Sequence, residues 1–132
     1  MTGETNLSRL LASLSPRLNP GRFVFCSVPQ PTVVQVAAAL GSFREAEGTT
    51  LILAREEAER LGLAYDYLAA WITLEVHSSL AAVGLTAAFA KALAGEGISC
   101  NVIAGFHHDH LFVAEADACL LYTSPSPRDK RQ

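Results

Sequence analysis

The second half of the chain constrains the fold most, because its residue pattern changes from strand to helix and back to strand. Residues 68–77 alternate between apolar and polar side chains, which predicts a half-buried strand. An alanine-rich stretch follows, and Gly95 and Gly97 close it as a helix would be closed. Residues 98–103 and 110–113 then predict two adjacent strands joined by a turn. This βαββ order predicts an α+β, ferredoxin-like unit in which helices cover one face of an antiparallel sheet.

The first half of the chain carries a less regular set of elements. Residues 7–14 place leucines at helical spacing, and residues 19–21, Asn-Pro-Gly, predict a turn. Residues 23–28 form an aromatic and β-branched run that predicts a strand. Residues 40–53 predict two strands around a glycine, and residues 55–61 predict a helix. With 132 residues in all, the chain fits one compact domain or two small units that share a core.

Composition excludes several classes of function. Half of the residues are hydrophobic and the formal net charge is -3, which argues against disorder and against a nucleic-acid or anionic-membrane partner. The first residues do not form a signal peptide, and the apolar stretch at residues 80–94 is interrupted and too short to span a bilayer. Cys26, Cys100 and Cys119 lack the spacing of a zinc or disulfide framework. We therefore expect a cytoplasmic protein.

The character of the sequence changes at residue 119. Residues 119–129 match the translation of a transposon end joined to a sequencing adaptor, so we expect residues 119–132 to be a non-native tail. A flexible natural tail would explain the proline and serine content but not the specific string. With Ala118 as the last authentic residue, the second unit is expected to lack its last helix.

Several blocks together resemble a family of small bacterial proteins built from two ACT-like units. The resemblance covers residues 6–118 and is carried by the blocks at residues 23–28, 43–50, 71–80, 98–105 and 107–113. It implies an N-terminal, irregular ACT-like unit at residues 1–67 and a C-terminal unit at residues 68–118, each of the βαββαβ type. It also implies a regulatory protein rather than an enzyme, without a cofactor, which binds a small effector such as an amino acid and forms a homo-oligomer.

The resemblance also implies where the effector binds. In ACT domains the ligand lies near the loop between the first strand and the first helix, often at a subunit interface. The matching loop here faces the strand after the helix, and the expected ligand-binding residues are His77, Ser78, Ser79, Val83, Gly84, Leu85, Asn101 and Val102. Serine hydroxyls and free N–H groups before a helix suit a carboxylate, and a glycine permits close approach. The alternative is that a serine caps the helix and Gly84 relieves packing.

Three other interpretations remain open. His107, His108 and His110 suggest a metal-dependent enzyme, although turn formation and hydrogen bonding suit the cluster better and we expect no metal. Glu45 and Glu47 alternate in a predicted strand, where a solvated face explains them better than acid–base chemistry. The protein could also be a structural interaction module without a ligand, pairing with another subunit through the sheet face of Trp71 and Thr73.

Overall fold

The computed structural model describes residues 16–75 and 79–118, and of residues 79–86 it describes the backbone alone. These residues form six strands, three helices of six or more residues and a short helical segment at residues 115–118. In chain order the strands and the three longer helices are β1 (Pro16–Val28), α1 (Val33–Ala38), β2 (Gly41–Glu45), β3 (Gly48–Ala54), α2 (Arg55–Arg60), β4 (Leu68–Leu74), α3 (Ser79–Gly95), β5 (Cys100–Ala104) and β6 (Asp109–Ala114). None of these helices is long and apolar enough to cross a membrane.

The chain divides into two compact units, and β1 and β4 each contribute residues to both. In the unit Gly21–Ala69 the strands lie in the order β2-β3-β1, and both neighbouring pairs are antiparallel. Directly opposite residues share a sheet face. The buried cluster of this unit joins one face of β1 and β3 to helix α2, and its members are Val24, Cys26, Leu51, Leu53 and Ala58.

The other unit contains the first residues of β1 together with the chain from Ala70 onward. Its strands lie in the order β1-β4-β6-β5, so the first residues of β1 occupy the place beside β4. Helix α3 packs its buried Phe89 and Leu93 on this sheet. Burying each such side chain stabilises the unit by roughly 1.5–3 kcal/mol. The cluster comprises Ala70, Ile72, Leu74, Phe89, Leu93, Ile98, Leu111, Val113 and Ala118.

The main predictions from the sequence pattern are confirmed. The α+β class, the hairpin of β2 and β3, helix α2, and the order β4-α3-β5-β6 all occur as expected. Gly62 and Gly97 follow α2 and α3 with φ of 70° and 78°, the left-handed backbone that ends many helices. The alternation in β4 also holds, because Ala70, Ile72 and Leu74 are all buried in one cluster.

The predicted turn at residues 19–21 is wrong, since these residues lie inside the long strand β1. Gly21 adopts a φ of 99°, so the turn-forming sequence distorts the strand without ending it. Asn19 is held by its side chain, whose amide donates to the backbone oxygen of Trp71 at 3.2 Å. Pairing with a distant strand therefore overrides the local turn preference.

The structure adds two helical segments to those that the sequence pattern predicts. Helix α1 has a capping box, in which Thr32 and Gln35 each accept a hydrogen bond from the other's backbone N–H. Residues 115–118 are helical directly after β6, and Ala118 is buried in the core, although no helix was expected there. Alanines and early acidic residues favour such a helical turn. The predicted helix at residues 7–14 and the predicted non-native tail lie outside the described residues.

Candidate functional site

The predicted effector loop lies between β4 and α3. His77 and Ser78 lie outside the described residues, whereas Ser79 is the first residue of α3. Gly84 lies within the helix, together with Val83 and Leu85. The 17-residue helix starts immediately after the loop, so its first backbone N–H groups lie next to the loop.

Asn101 and Val102 lie on β5, the last strand in the order of this unit. Val102 is opposite Leu111 on the face of the buried core, and Asn101 is opposite Phe112 on the other face. Both residues are exposed, and 44% of Val102 is accessible. The two residues are thus adjacent in sequence, but their side chains point to opposite faces of the sheet.

A polar cluster occupies the face of this unit opposite the buried core. The Trp71 indole Nε1–H donates to His110 Nδ1 at 3.0 Å, and Thr73 Oγ1 lies 3.2 Å from the same nitrogen. The Asn19 side-chain amide donates to Thr73 Oγ1 at 2.9 Å. The Trp71 ring also stacks on Phe112, with the ring planes 14° apart. Side chains from β1, β4 and β6 therefore meet in one hydrogen-bonded group, the His110 cluster (Asn19, Trp71, Thr73 and His110).

The environment of His110 favours its neutral form. Burial lowers the pKa of the imidazole below its usual 6.5, and electrostatic interactions with His108 and Arg17 lower it further, while Asp109 acts in the opposite direction. An indole nitrogen can only donate a hydrogen bond, so Nδ1 accepts and the ring proton is on Nε2. His110 is thus a hydrogen-bond acceptor for β4.

His107 and His108 lie in the turn between β5 and β6. His107 is exposed and packs edge-on against Phe106, and 97% of Phe106 is accessible. The Gly105 N–H donates to the His108 backbone oxygen at 2.9 Å and closes the turn. Within residues 16–75 and 79–118, no three side chains of the metal-binding types come together. His110 thus makes side-chain hydrogen bonds, whereas His108 takes part in the turn through its backbone oxygen.

The remaining candidates for chemistry occupy structural positions. Burial raises the pKa of the Cys26 and Cys100 thiols, which disfavours the nucleophilic thiolate. Glu45 ends β2 and accepts a hydrogen bond from Thr50, whereas Glu47 lies in the following turn. The expectation that the two glutamates alternate along one strand is therefore wrong, because the turn begins between them.

Sequence reasoning missed the His110 cluster as a group. It placed Trp71 and Thr73 on one face of a strand and noted His110 separately, but no local signal connects them. Asn19 and Thr73 are 54 residues apart, and Trp71 and His110 are 39 apart. Strand pairing alone brings them together.

Two family models and a solved structure match this chain. Two family models, both described as ACT domain, match residues 2–70 and 68–119. A solved structure of a Vibrio cholerae protein, described as a protein of unknown function and a possible transport protein, is 49% identical with a TM-score of 0.75. That similarity covers 92% of this chain and 93% of the other. No curated protein matches the chain.

Proposed function

Because this chain belongs to the ACT-domain family, we propose that it is a non-catalytic regulatory protein that reversibly binds a small effector, an amino acid. ACT domains are generally regulatory modules that bind ligands. The observation that carries the proposal is the pair of ACT-domain matches, which together extend over residues 2–119. The matches also support a division into ACT-like units at residues 1–67 and 68–118. We place the protein in the cytoplasm.

The proposed effector site joins the loop before α3 to the edge strand β5. It comprises His77, Ser78, Ser79, Val83, Gly84, Leu85, Asn101 and Val102. The start of α3 at Ser79 supports it, because the first N–H groups and the dipole of a helix favour a carboxylate. The exposed amide of Asn101 offers a donor and an acceptor to an amino group or a carboxylate. A zwitterion, which has both a carboxylate and an amino group, would bind the start of α3 and the Asn101 amide together.

Assembly is the second part of the proposal. Among the described residues, β5 is the last strand in its unit's order, and its residues Val102 and Ile103 are 44% and 40% exposed. An unpaired strand edge offers N–H and C=O groups to another strand. We propose that a second copy lies near this edge, so that effector binding and homo-oligomer formation are coupled. The proposal involves neither nucleic acid nor a membrane.

A thermal-shift screen against the amino acids tests the function first. A ligand that binds the folded state at about 100 times its Kd stabilises it by about 2.7 kcal/mol and raises the melting midpoint. No shift with any amino acid, at concentrations up to the millimolar range, would contradict the choice of effector class.

Calorimetric titration of two variants then tests the site. We expect Asn101→Ala to weaken binding by roughly 1–3 kcal/mol if the amide contact is buried in the complex. Gly84→Val should block close approach by adding a β-branched side chain. Ser42→Ala, exposed in the other unit, is the control for the first variant. Gly95→Val, where an added Cβ meets nothing within 4 Å, is the control for the second. Unchanged affinity in folded Asn101 and Gly84 variants removes this site.

The main alternative is a structural interaction module without an effector. The sheet face of Trp71 and Thr73 that was expected to pair with another subunit does not favour it, because Thr73 is fully buried. Phe106 at the β5–β6 turn does favour it, since such exposed apolar surface suits a protein partner. A protein that oligomerises identically with and without every amino acid would favour this alternative.

A further inference from the structure

His110 stands where three strands of one unit meet. Its Nδ1 atom receives the Trp71 indole N–H of β4 at 3.0 Å, and it lies 3.2 Å from the Thr73 hydroxyl of the same strand. Thr73 is fully buried and in turn accepts a hydrogen bond from Asn19 of β1. The imidazole nitrogen of His110 therefore connects β6 to β4, and Thr73 continues the hydrogen-bonded chain to β1.

The groups that act electrostatically on His110 lie on β1, in the β5–β6 turn and at the start of β6. Arg17 on β1 acts on His110 and forms an ion pair with Glu75, which directly follows β4. His108 and Asp109 act from the turn and the start of β6. Of these groups, Asp109 alone favours a charged imidazole, and burial opposes it. A proton on His110 is thus poorly compensated.

Protonation has unequal effects on the two neighbours of Nδ1. The Thr73 hydroxyl can rotate and accept a hydrogen bond from a protonated ring, because a hydroxyl is both donor and acceptor. The Trp71 indole cannot, since its nitrogen is a donor only. A proton on Nδ1 and the indole N–H would then point at each other across 3.0 Å.

We infer that protonation of His110 controls the position of Trp71. The neutral imidazole accepts the indole N–H and keeps the ring on the sheet face, and a proton on Nδ1 displaces the ring. Displacement also removes the Trp71 ring from its stack on Phe112 and leaves a charge inside the cluster. Mild acidification therefore loosens the β1-β4-β6 part of this unit. This inference does not depend on the effector site.

Intrinsic fluorescence tests this protonation switch directly, because Trp71 is the single tryptophan of the chain. The full chain is titrated from about pH 8 to about pH 5, while far-UV circular dichroism confirms that it stays folded. We expect an emission change with a midpoint below 6.5, the ordinary imidazole value. His110→Gln should abolish the change, because an amide does not titrate. His107→Gln, an exposed histidine of the same hairpin, should preserve it.

Melting midpoints give the second measurement, with a sign set by linkage. The folded state binds the His110 proton less readily than the unfolded state, so stability is fully present above about pH 6.5 and falls as the pH drops through the folded pKa. On acidification, the melting midpoint of His110→Gln should fall by less than the midpoint of the unmutated protein.

Side-chain nitrogen spectra of the unmutated protein test the inference even if His110→Gln fails to fold. The neutral ring should carry its proton on Nε2, and the indole N–H signal should titrate together with the imidazole. A proton on Nδ1 at neutral pH overturns the proposal. So does an emission or indole signal that stays constant while His110 titrates, or an unchanged transition in folded His110→Gln.

Discussion

At the scale of single residues, Gly105 has the most restricted position among the glycines whose surroundings the structure describes. A Cβ atom there would lie 2.8 Å from the His108 backbone oxygen and 3.2 Å from His110 Nε2. Real Cβ atoms do not come within 3.0 Å of such an oxygen. The close turn between β5 and β6 thus requires glycine, for reasons of space rather than backbone angle.

We expect Gly105→Ala to lower the free energy of unfolding by roughly 1–3 kcal/mol, the usual cost of forcing atoms into a filled space. Urea denaturation measures the change. Gly41→Ala is the matched control, because a Cβ at Gly41 meets nothing within 4 Å. Equal midpoints for Gly105→Ala and the unmutated protein would show that the turn opens without cost.

At the scale of elements, α1 differs from the other helices in what stabilises it. It has six residues, none of them buried, and neither an acidic first turn nor a basic last turn. A helix this short is marginal without external support. Its capping box, formed by Thr32 and Gln35, is therefore the main local contribution to its stability.

Thr32→Ala should consequently destabilise α1 by about 1 kcal/mol, within the usual range of about 0.5–2 kcal/mol for a lost cap. Amide hydrogen exchange at residues 33–38 should accelerate, since the first-turn donors lose an acceptor. Val33→Ala in the same helix is the control, because 85% of Val33 is exposed and alanine is a better helix former. If both variants exchange at the same rate as the unmutated protein, the cap does not hold the helix.

At the scale of the whole molecule, each unit has its own buried cluster, and neither cluster contains a charged side chain. Helix α2 supplies Ala58 to one core, and α3 supplies Phe89 and Leu93 to the other. Stability at this scale therefore comes from apolar burial, and the histidines of the β5–β6 hairpin contribute through hydrogen bonds.

This view predicts that removal of metal does not change the stability of the molecule. EDTA should leave the melting midpoint unchanged, because His110 Nδ1 already accepts the Trp71 N–H and no group of three ligand-type side chains occurs in the described residues. The double variant His108→Gln and His110→Gln should likewise retain any effector binding. Stoichiometric zinc in the purified protein, lost in that variant, would instead favour the metal-dependent enzyme.

Much of the fold could be predicted because its signals are local. The alternation of Ala70, Ile72 and Leu74 identified the buried face of β4, since side chains on a strand alternate with a period of two. Glycines marked the ends of α2 and α3 for a similar reason, because the left-handed backbone costs glycine little. The capping box of α1 is an equally local signal, since Thr32 and Gln35 are three residues apart.

The candidate effector site was predictable from the sequence only as a set of residues on a loop and a strand. The resemblance to ACT domains suggested both, and the location of the site stays a prediction. The structure adds that Asn101 and Val102 point to opposite faces of β5, which follows from their register with Phe112 and Leu111. A residue pattern without its partner strand cannot supply that register.

The sequence by itself determined the order β4-α3-β5-β6 and the buried face of β4, because both depend on neighbours within a few residues. The tertiary structure alone decided that the Asn-Pro-Gly segment stays in a strand, and that Asn19, Thr73 and His110 meet. These contacts join residues 37 or more positions apart, and their geometry is set by strand pairing. No local preference encodes a distance of that kind, since the pairing forms only when the core beneath the strands is buried.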